Sequence, residues 1–206
     1  LKPFPKTLQD KFYKTYGGET LVSLQSASPV LGSLNSGLQL YRLKHEKPAL
    51  FNTITCSLHL PQYISHVITL KEYSDITSIG SHTLLWDFNK KNYHQWVFNE
   101  GIDRLLPKRL NSDEVVPSVF MNADKIPVGS GLHDSSAALI PYLSTFSEPF
   151  VLISTGTWCI SMNPFNDSPL TEEELKRDCL CYLSHQATPI KAARLFAGHE
   201  HEVQCK

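Results

Sequence analysis

The sequence lacks an excess of charge of either sign and contains no strongly basic run. Its 19 lysines and arginines nearly balance its 20 aspartates and glutamates, which gives a formal net charge of −1. Proteins that bind nucleic acid through the phosphate backbone depend on concentrated positive charge. We therefore expect no nucleic-acid partner for this chain.

Long apolar runs are absent as well. No stretch approaches the ~20 residues that a membrane-spanning helix needs, and the first residues do not form a charged-then-apolar leader. We therefore expect a soluble, cytoplasmic protein with no membrane partner. Because the chain opens at Leu1 rather than at a methionine, we also expect it to be an internal fragment or the ordered part of a longer protein.

Cysteine is sparse, and its copies are too scattered to predict a disulfide framework. An odd number of cysteines in apolar segments is typical of a reducing compartment. Cys179 and Cys181 form a lone CxC without the second pair that zinc sites usually have, so packing is favoured over metal binding there. The five cysteines are Cys56, Cys159, Cys179, Cys181 and Cys205.

What the sequence does contain is helical periodicity over most of its first two thirds. Pro48 is expected to break or restart one helix, Pro61 to lie in the first turn of the next, and Gly101 to end another. A short strand in KIPVGSG and a helix in DSSAALIPYLS follow. The earlier helices are predicted in KTLQDKFYKTYGG, LQLYRLKHEKPALF, HLPQYISHVITL and YHQWVFNEGI.

The composition changes near residue 148. FVLISTGTWCISMNPF has two β-rich arms around a small turn, which predicts a hairpin. PLTEEELKRDCLCYL then carries a capping box, Thr171 with Glu174, followed by apolar positions at helical spacing. We therefore predict a domain boundary that separates residues 1–148 from residues 149–206.

The first candidate site is GSGLHDSSAAL, residues 129–139. Asp134 follows a glycine-rich turn and precedes a run of small residues. One interpretation is an N-cap for a helix that begins at Ser135. The other is a carboxylate held ionised at a helix N-terminus, at the edge of a cleft with room for a substrate.

The second candidate site is the turn STGTW, residues 154–158. A tight turn with one glycine and several hydroxyls can aim consecutive N–H groups at a phosphate, with Thr155 and Thr157 as further donors. An ordinary hairpin turn is the alternative. A base and a phosphate-type turn, one in each predicted domain, are parts that phosphoryl transfer needs.

GLHDSSAAL followed by FVLISTGTWCIS resembles the FGGY family of carbohydrate kinases, especially its rhamnulokinase and fuculokinase branch. The upstream order of LNSGLQLYRLKHEKPALF, LPQYISHVIT, TSIGSHTLLWDF and YHQWVFNEGIDRLLP is similar too. The resemblance therefore spans nearly the whole chain. It implies an α/β fold of two actin-like (ribonuclease-H-like) domains, here incomplete at both ends. Residues 1–148 would be the C-terminal part of the sugar-binding domain, and residues 149–206 the start of the nucleotide-binding domain.

The resemblance also implies roles for single residues. Asp134 takes the position of the catalytic base, and His133 that of a residue in contact with sugar hydroxyls. Thr155, Gly156 and Thr157 correspond to a phosphate-binding loop for ATP. The implied reaction is ATP-dependent phosphorylation of a sugar, with Mg²⁺ and no protein-bound metal site. The branch of the family that the sequence resembles implies a ketose such as L-rhamnulose or L-fuculose as the sugar.

Two parts of the family pattern are missing from the sequence: the first phosphate loop, an Asp-Gly-Thr-type turn, and a later glycine-rich adenine-binding segment. If the chain is complete, we expect weak binding of MgATP. A catalytically inactive, kinase-like sugar-binding or regulatory protein is therefore the alternative.

Three further features have competing interpretations. The histidines of HEHE, His199 and His201, suggest a metal site, but on a helix an i, i+2 pair points apart, which favours a solvated chain end. His82 and Trp86 are candidates for sugar contact, while packing between helices is favoured for Trp86 and Trp96. Asn35 is predicted to be a helix cap.

Overall fold

The computed structural model describes residues 3–119, 126–156 and 158–205. The helices are α1 (Lys6–Thr15), α2 (Glu19–Gln25), α3 (Ser36–Glu46), α4 (Pro48–Phe51), α5 (Leu60–Thr69), α6 (Ile76–Ile79), α7 (Gln95–Asn99), α8 (Asp134–Thr145), α9 (Glu172–Lys176) and α10 (Ala197–Gln204). The strands are β1 (Trp86–Asp87), β2 (Asn92–Tyr93), β3 (Val115–Pro117), β4 (Pro127–Gly129), β5 (Leu152–Ser154), β6 (Cys159–Asn163), β7 (Cys179–Leu183) and β8 (Pro189–Leu195).

An aromatic cluster forms the core of the helical part. The Phe12 ring meets the rings of Tyr13, Tyr41 and Trp96 edge-on, with centroids 5.0–5.2 Å apart. Trp96 is fully buried, and its Nε1 donates to the Leu84 carbonyl at 2.8 Å. Trp86 is also buried. The expectation that both tryptophans pack between helices is confirmed.

Residues 152–195 contain the strands of an antiparallel sheet with the strand order β5-β6-β8-β7. The predicted hairpin is present, with Leu152 opposite Met162 and Ser154 opposite Ile160. Helix α8 covers this sheet through Leu139, which packs into a cluster with Met162 and other buried residues of the strands. The remaining buried members are Leu180, Tyr182, Ile190 and Ala192.

Contacts tie the sheet closely to the helical part. Leu183 of β7 belongs to the aromatic cluster, and an added Cβ at Gly80 would overlap the Leu183 side chain. The Leu183 carbonyl accepts a hydrogen bond from Ser136 Oγ at 2.8 Å, and Cys181 N donates to the Ala27 carbonyl at 2.8 Å. A boundary at residue 148 would fall between α8 and β5, and it stays a prediction.

One predicted helix is a strand. The capping box of Thr171 and Glu174 is confirmed at the start of α9, but that helix ends at Lys176. Asp178 then adopts a left-handed φ of 62°, which reverses the chain into β7. The residues of β7, CLCYL, are mostly buried. A short, continuous apolar run fits a buried strand as well as a helix. Here the segment is a strand because its backbone pairs with the neighbouring strand β8.

In the part of the chain that the structure describes, none of the helices has the length and apolar character that crossing a membrane requires.

Candidate active site at the start of helix α8

Asp134 occupies the first position of helix α8, and His133 is the N-cap residue. Asp134 is therefore not the N-cap that one interpretation predicted. Its Oδ1 accepts from the N–H of Ser135 at 2.6 Å, and the side chain is 93% exposed. A helix N-terminus concentrates unpaired backbone N–H groups and a positive partial charge. The result is an accessible, negatively charged acceptor.

Asp134 lies at the edge of a cleft of about 410 Å³, a volume in the range of small-molecule sites. The walls come from the start of α5, from α6 with the loop after it, and from the loop before α8. They carry imidazoles and hydroxyls beside an apolar side. The lining residues are Leu34, Ser36, His59, Leu60, Pro61, Ser78, Ser81, His82, Thr83, Leu132, His133 and Asp134.

The three histidines of the cleft are uncharged at neutral pH. Burial lowers the pKa of His59 to about 4 and that of His82 to about 4, and in both cases the neighbouring His133 lowers it further. Burial also lowers the pKa of His133, against an opposing effect of Asp134. Neutral imidazoles offer one donor and one acceptor nitrogen each, which suits recognition of hydroxyl groups.

Two buried polar atoms in the cleft have no hydrogen-bond partner among the described residues: Ser78 Oγ and His133 Nδ1. Most buried polar atoms in proteins are paired. A bound polyol is one source of the missing partners. His133 also contacts the candidate base directly, with its Nε2 3.4 Å from Asp134 Oδ1.

Asn35 holds His82 in place. It is the N-cap residue of α3, as predicted, but its side chain makes no capping hydrogen bond. Instead, Asn35 Oδ1 accepts from Leu31 N at 2.7 Å, and its Nδ2 donates to the His82 carbonyl at 2.9 Å. The prediction that Asn35 is the cap residue is confirmed by its position, while its side chain bonds to groups outside the helix. The amide offers donors and an acceptor together, so it links the loop before α3 to the wall of the cleft.

The glycine-rich segment before His133 packs directly on α5. Gly131 has a φ of +84°, and an added Cβ would come within 2.7 Å of the Pro61 carbonyl oxygen. Gln62 Nε2 donates to the Gly131 carbonyl and Ser65 Oγ to the Gly129 carbonyl, both at 2.7 Å. These contacts explain why a residue without a side chain precedes the site.

The candidate phosphate turn connects β5 to β6. Thr155 and Gly156 are exposed, and Thr157 lies outside the described residues. An added Cβ at Gly156 would meet Trp158 O at 3.8 Å as its nearest neighbour, so the backbone there is open to an approaching group. The turn does not line the cleft that contains Asp134. The structure thus brings His133 and Asp134 together, but not these residues with the turn.

A larger cleft of about 740 Å³ lies between the segment from Lys108 to Asp113 and the turn from His185 to Ala187. Sequence reasoning assigned nothing to these residues. It also missed His59 and the hydroxyls of the smaller cleft. These residues lie in segments that are distant in sequence. Their one local signal is the Ser/Thr-rich stretch TSIGSHT, residues 77–83.

The HEHE segment lies on helix α10, where His199 and His201 are exposed. Two histidines at i, i+2 on a helix do not share a face. Among the described residues, no group of three or more histidine, cysteine, aspartate or glutamate side chains is placed to hold a metal ion.

Comparison with known sequences supports the resemblance. Residues 147–206 match the family model described as "Carbohydrate kinase FGGY, C-terminal domain". The L-fuculokinase of Escherichia coli (strain K12) is 29% identical over 157 residues, and the match covers 70% of this chain and 33% of that protein. The chain thus spans about a third of the length of the curated relatives it matches.

Solved structures show the same fold. A carbohydrate kinase from Novosphingobium aromaticivorans aligns with a TM-score of 0.78 and 23% identity, over 98% of this chain and 45% of that one. A ligand-bound xylulose kinase from Lactobacillus acidophilus aligns with a TM-score of 0.72 and 17% identity, over 90% and 38%. At such identities the likeness establishes the fold, and it confirms the predicted α/β, actin-like (ribonuclease-H-like) class. The family-model match over residues 147–206, the fuculokinase relatives and the shared fold thus agree with the resemblance to FGGY carbohydrate kinases.

Proposed function

We propose that this protein transfers the terminal phosphoryl group of ATP to a sugar hydroxyl, with Asp134 as the general base. One observation carries the proposal. An exposed carboxylate at a helix N-terminus borders a 410 Å³ cleft lined by neutral imidazoles and hydroxyls. Such a cleft can orient a polyol and accept the proton of one hydroxyl.

Residues of the cleft have separate roles in this proposal. A sugar hydroxyl within hydrogen-bond reach of Asp134 gives up its proton to that carboxylate as its oxygen attacks phosphorus. His133 contacts the same carboxylate and is a candidate for binding a neighbouring sugar hydroxyl. His59 forms a hydrogen bond between its Nε2 and Ser36 Oγ at 3.2 Å, and it also lines the cleft.

ATP with Mg²⁺ would supply the phosphoryl group. The turn formed by Thr155, Gly156 and Thr157 is our candidate for contact with phosphate oxygens, since the open backbone at Gly156 leaves room for them. Mg²⁺ commonly keeps several waters and binds through phosphates. The turn belongs to the proposed nucleotide-binding domain, residues 149–206, and the cleft to the sugar-binding domain, residues 1–148.

A 6-deoxy ketose such as L-fuculose or L-rhamnulose is the proposed substrate. Relatives that match most of this chain are L-fuculokinases. The cleft combines its hydroxyl-binding groups with an apolar side formed by Leu34, Leu60 and Leu132. A methyl group on a polyol would find an apolar contact there.

We place this chemistry in the cytoplasm. Every one of the five cysteines is free, which fits a reducing compartment.

The test is a coupled assay of ADP release by the complete gene product with MgATP, against a panel of ketoses and pentuloses. We expect sugar-dependent turnover that Asp134→Asn lowers by at least about a hundredfold, because general base catalysis contributes 10²–10⁴-fold. Asp10→Asn, an exposed aspartate of α1 outside the cleft, is the matched control. Near-normal turnover in Asp134→Asn would show that Asp134 is not the general base. Failure to bind ATP would favour a sugar-binding protein without kinase activity.

A further inference from the structure

Asp75 is a carboxylate with no exposed surface at the start of α6. Its Oδ1 accepts from the N–H of Thr77 at 2.8 Å and from the Thr77 hydroxyl, and its Oδ2 accepts from Ser112 Oγ at 2.8 Å. No lysine or arginine forms an ion pair with it in the described ranges. The buried charge is therefore held by neutral donors.

Capping alone does not explain a carboxylate in this position. A serine, threonine or asparagine caps a helix about as well as an aspartate, without a buried charge. The hydrogen bonds of Asp75 also reach beyond helix α6, since Ser112, which donates to Oδ2, belongs to a separate loop. The carboxylate thus orients the side chains that donate hydrogen bonds to it, above all that of Thr77.

The Thr77 hydroxyl is oriented by this carboxylate. A hydroxyl has one proton and two lone pairs, so donation to Asp75 leaves Oγ1 free to act as an acceptor. The acceptor is used by the backbone N–H of His133, at 2.8 Å from Thr77 Oγ1. His133 is the N-cap residue of α8, directly before Asp134. The hydrogen bonds therefore run from a buried charge to the residue that precedes the proposed base.

We propose that Thr77, oriented by Asp75, is a positioning residue that sets the place of Asp134 in the reaction. This inference rests on the proposed function. The Thr77 hydroxyl fixes the His133 amide, and with it the start of α8 and the direction in which the Asp134 carboxylate faces the cleft. Misplacement of a reacting group by about 1 Å is enough to lower turnover by about a hundredfold.

The test compares Thr77→Val with Thr77→Ser in the complete protein, by sugar-dependent ADP release. Valine keeps the shape of threonine but removes the acceptor, while serine keeps the hydroxyl. We expect Thr77→Val to lower kcat by about tenfold to a hundredfold, with KM for MgATP within about twofold, and Thr77→Ser to recover most of the turnover. Amide hydrogen exchange at His133 should accelerate in Thr77→Val and remain slow in Thr77→Ser.

A double mutant separates positioning from general damage. In the Asp134→Asn background, Thr77→Val should lower the residual turnover no further, since residues that act as a unit are not additive. Equal losses in both backgrounds would overturn the proposal, as would wild-type kcat in Thr77→Val. Absence of sugar-dependent turnover in the unmutated protein would overturn the proposed function itself, and it is seen before any substitution is made.

Asp75→Ala provides an independent check on the orienting carboxylate. It should reproduce the kcat loss of Thr77→Val and add nothing to it in the double variant. Independent, multiplicative losses would show that Asp75 does not act through Thr77.

Discussion

Three histidines meet at the cleft, and burial keeps each of them neutral. Their grouping was not predictable from the sequence, because His59, His82 and His133 come from separate segments. Periodicity reports which face of an element is buried, but it does not report which distant loops share a cavity. The glycine-rich turn before His133 and Asp134 was a local signal for one side of the cleft, and both residues line it.

The lowered histidine pKa values predict that stability falls in mild acid. His59 and His82 have folded-state pKa values of about 4, against about 6.5 in the unfolded chain. As pH falls below 6.5, the unfolded state takes up protons first, so folding stability is lost between about pH 6.5 and pH 4. Denaturant unfolding at pH 7.5 and pH 5 should differ by up to about 2 kcal/mol for each histidine.

The variant His82→Gln tests whether His82 contributes to this loss of stability in acid. Glutamine is polar but does not take up a proton, so part of the pH dependence should disappear with it. The same slope of stability against pH in wild type and His82→Gln would contradict the assignment.

At the scale of elements, helical periodicity was a reliable guide and a short apolar run was not. The helices α1, α3, α5 and α7 lie where the spacing of apolar residues places them, and Pro61 lies in the first turn of α5 as expected. CLCYL was misread because five apolar residues are too short to show a period. Its partner, β8, is what makes it a strand.

The contact of the loop before α8 with helix α5 gives a prediction at this scale. Gly131→Ala forces an alanine into a left-handed φ and against the Pro61 carbonyl, so it should lower the free energy of unfolding by at least about 1 kcal/mol. Gly129→Ala is the control, since an added Cβ there has no heavy atom within 4 Å. Urea unfolding of both variants is the measurement. Equal stability of the two would show that the loop does not depend on this contact.

At the scale of the whole molecule, the two halves share buried side chains. Leu183 lies on β7 but packs in the aromatic cluster of the helical part, and it is 2% exposed. The sequence predicted a change of composition near residue 148, but it held no sign of this shared packing. The approach of Leu183 to Gly80 depends on tertiary structure alone.

Leu183→Ala should therefore weaken both halves together. Removal of a buried leucine side chain costs about 2–5 kcal/mol. We expect fluorescence of the buried Trp96 and far-UV circular dichroism to report one shifted transition in denaturant. Leu195→Ala, at a position 56% exposed, should change stability by less than about 0.5 kcal/mol. Separate transitions for the two probes would show that the halves unfold independently.

Strand β5 forms one edge of the four-stranded sheet in the part of the chain that the structure describes. Its residue Ile153 and the preceding Val151 are both more than half exposed. An edge strand with exposed apolar side chains is a template to which another strand can add. A net charge of −1 gives little electrostatic repulsion between molecules. The colloidal behaviour of the purified chain, and the concentration at which it stays monomeric, will therefore depend on how this edge is covered.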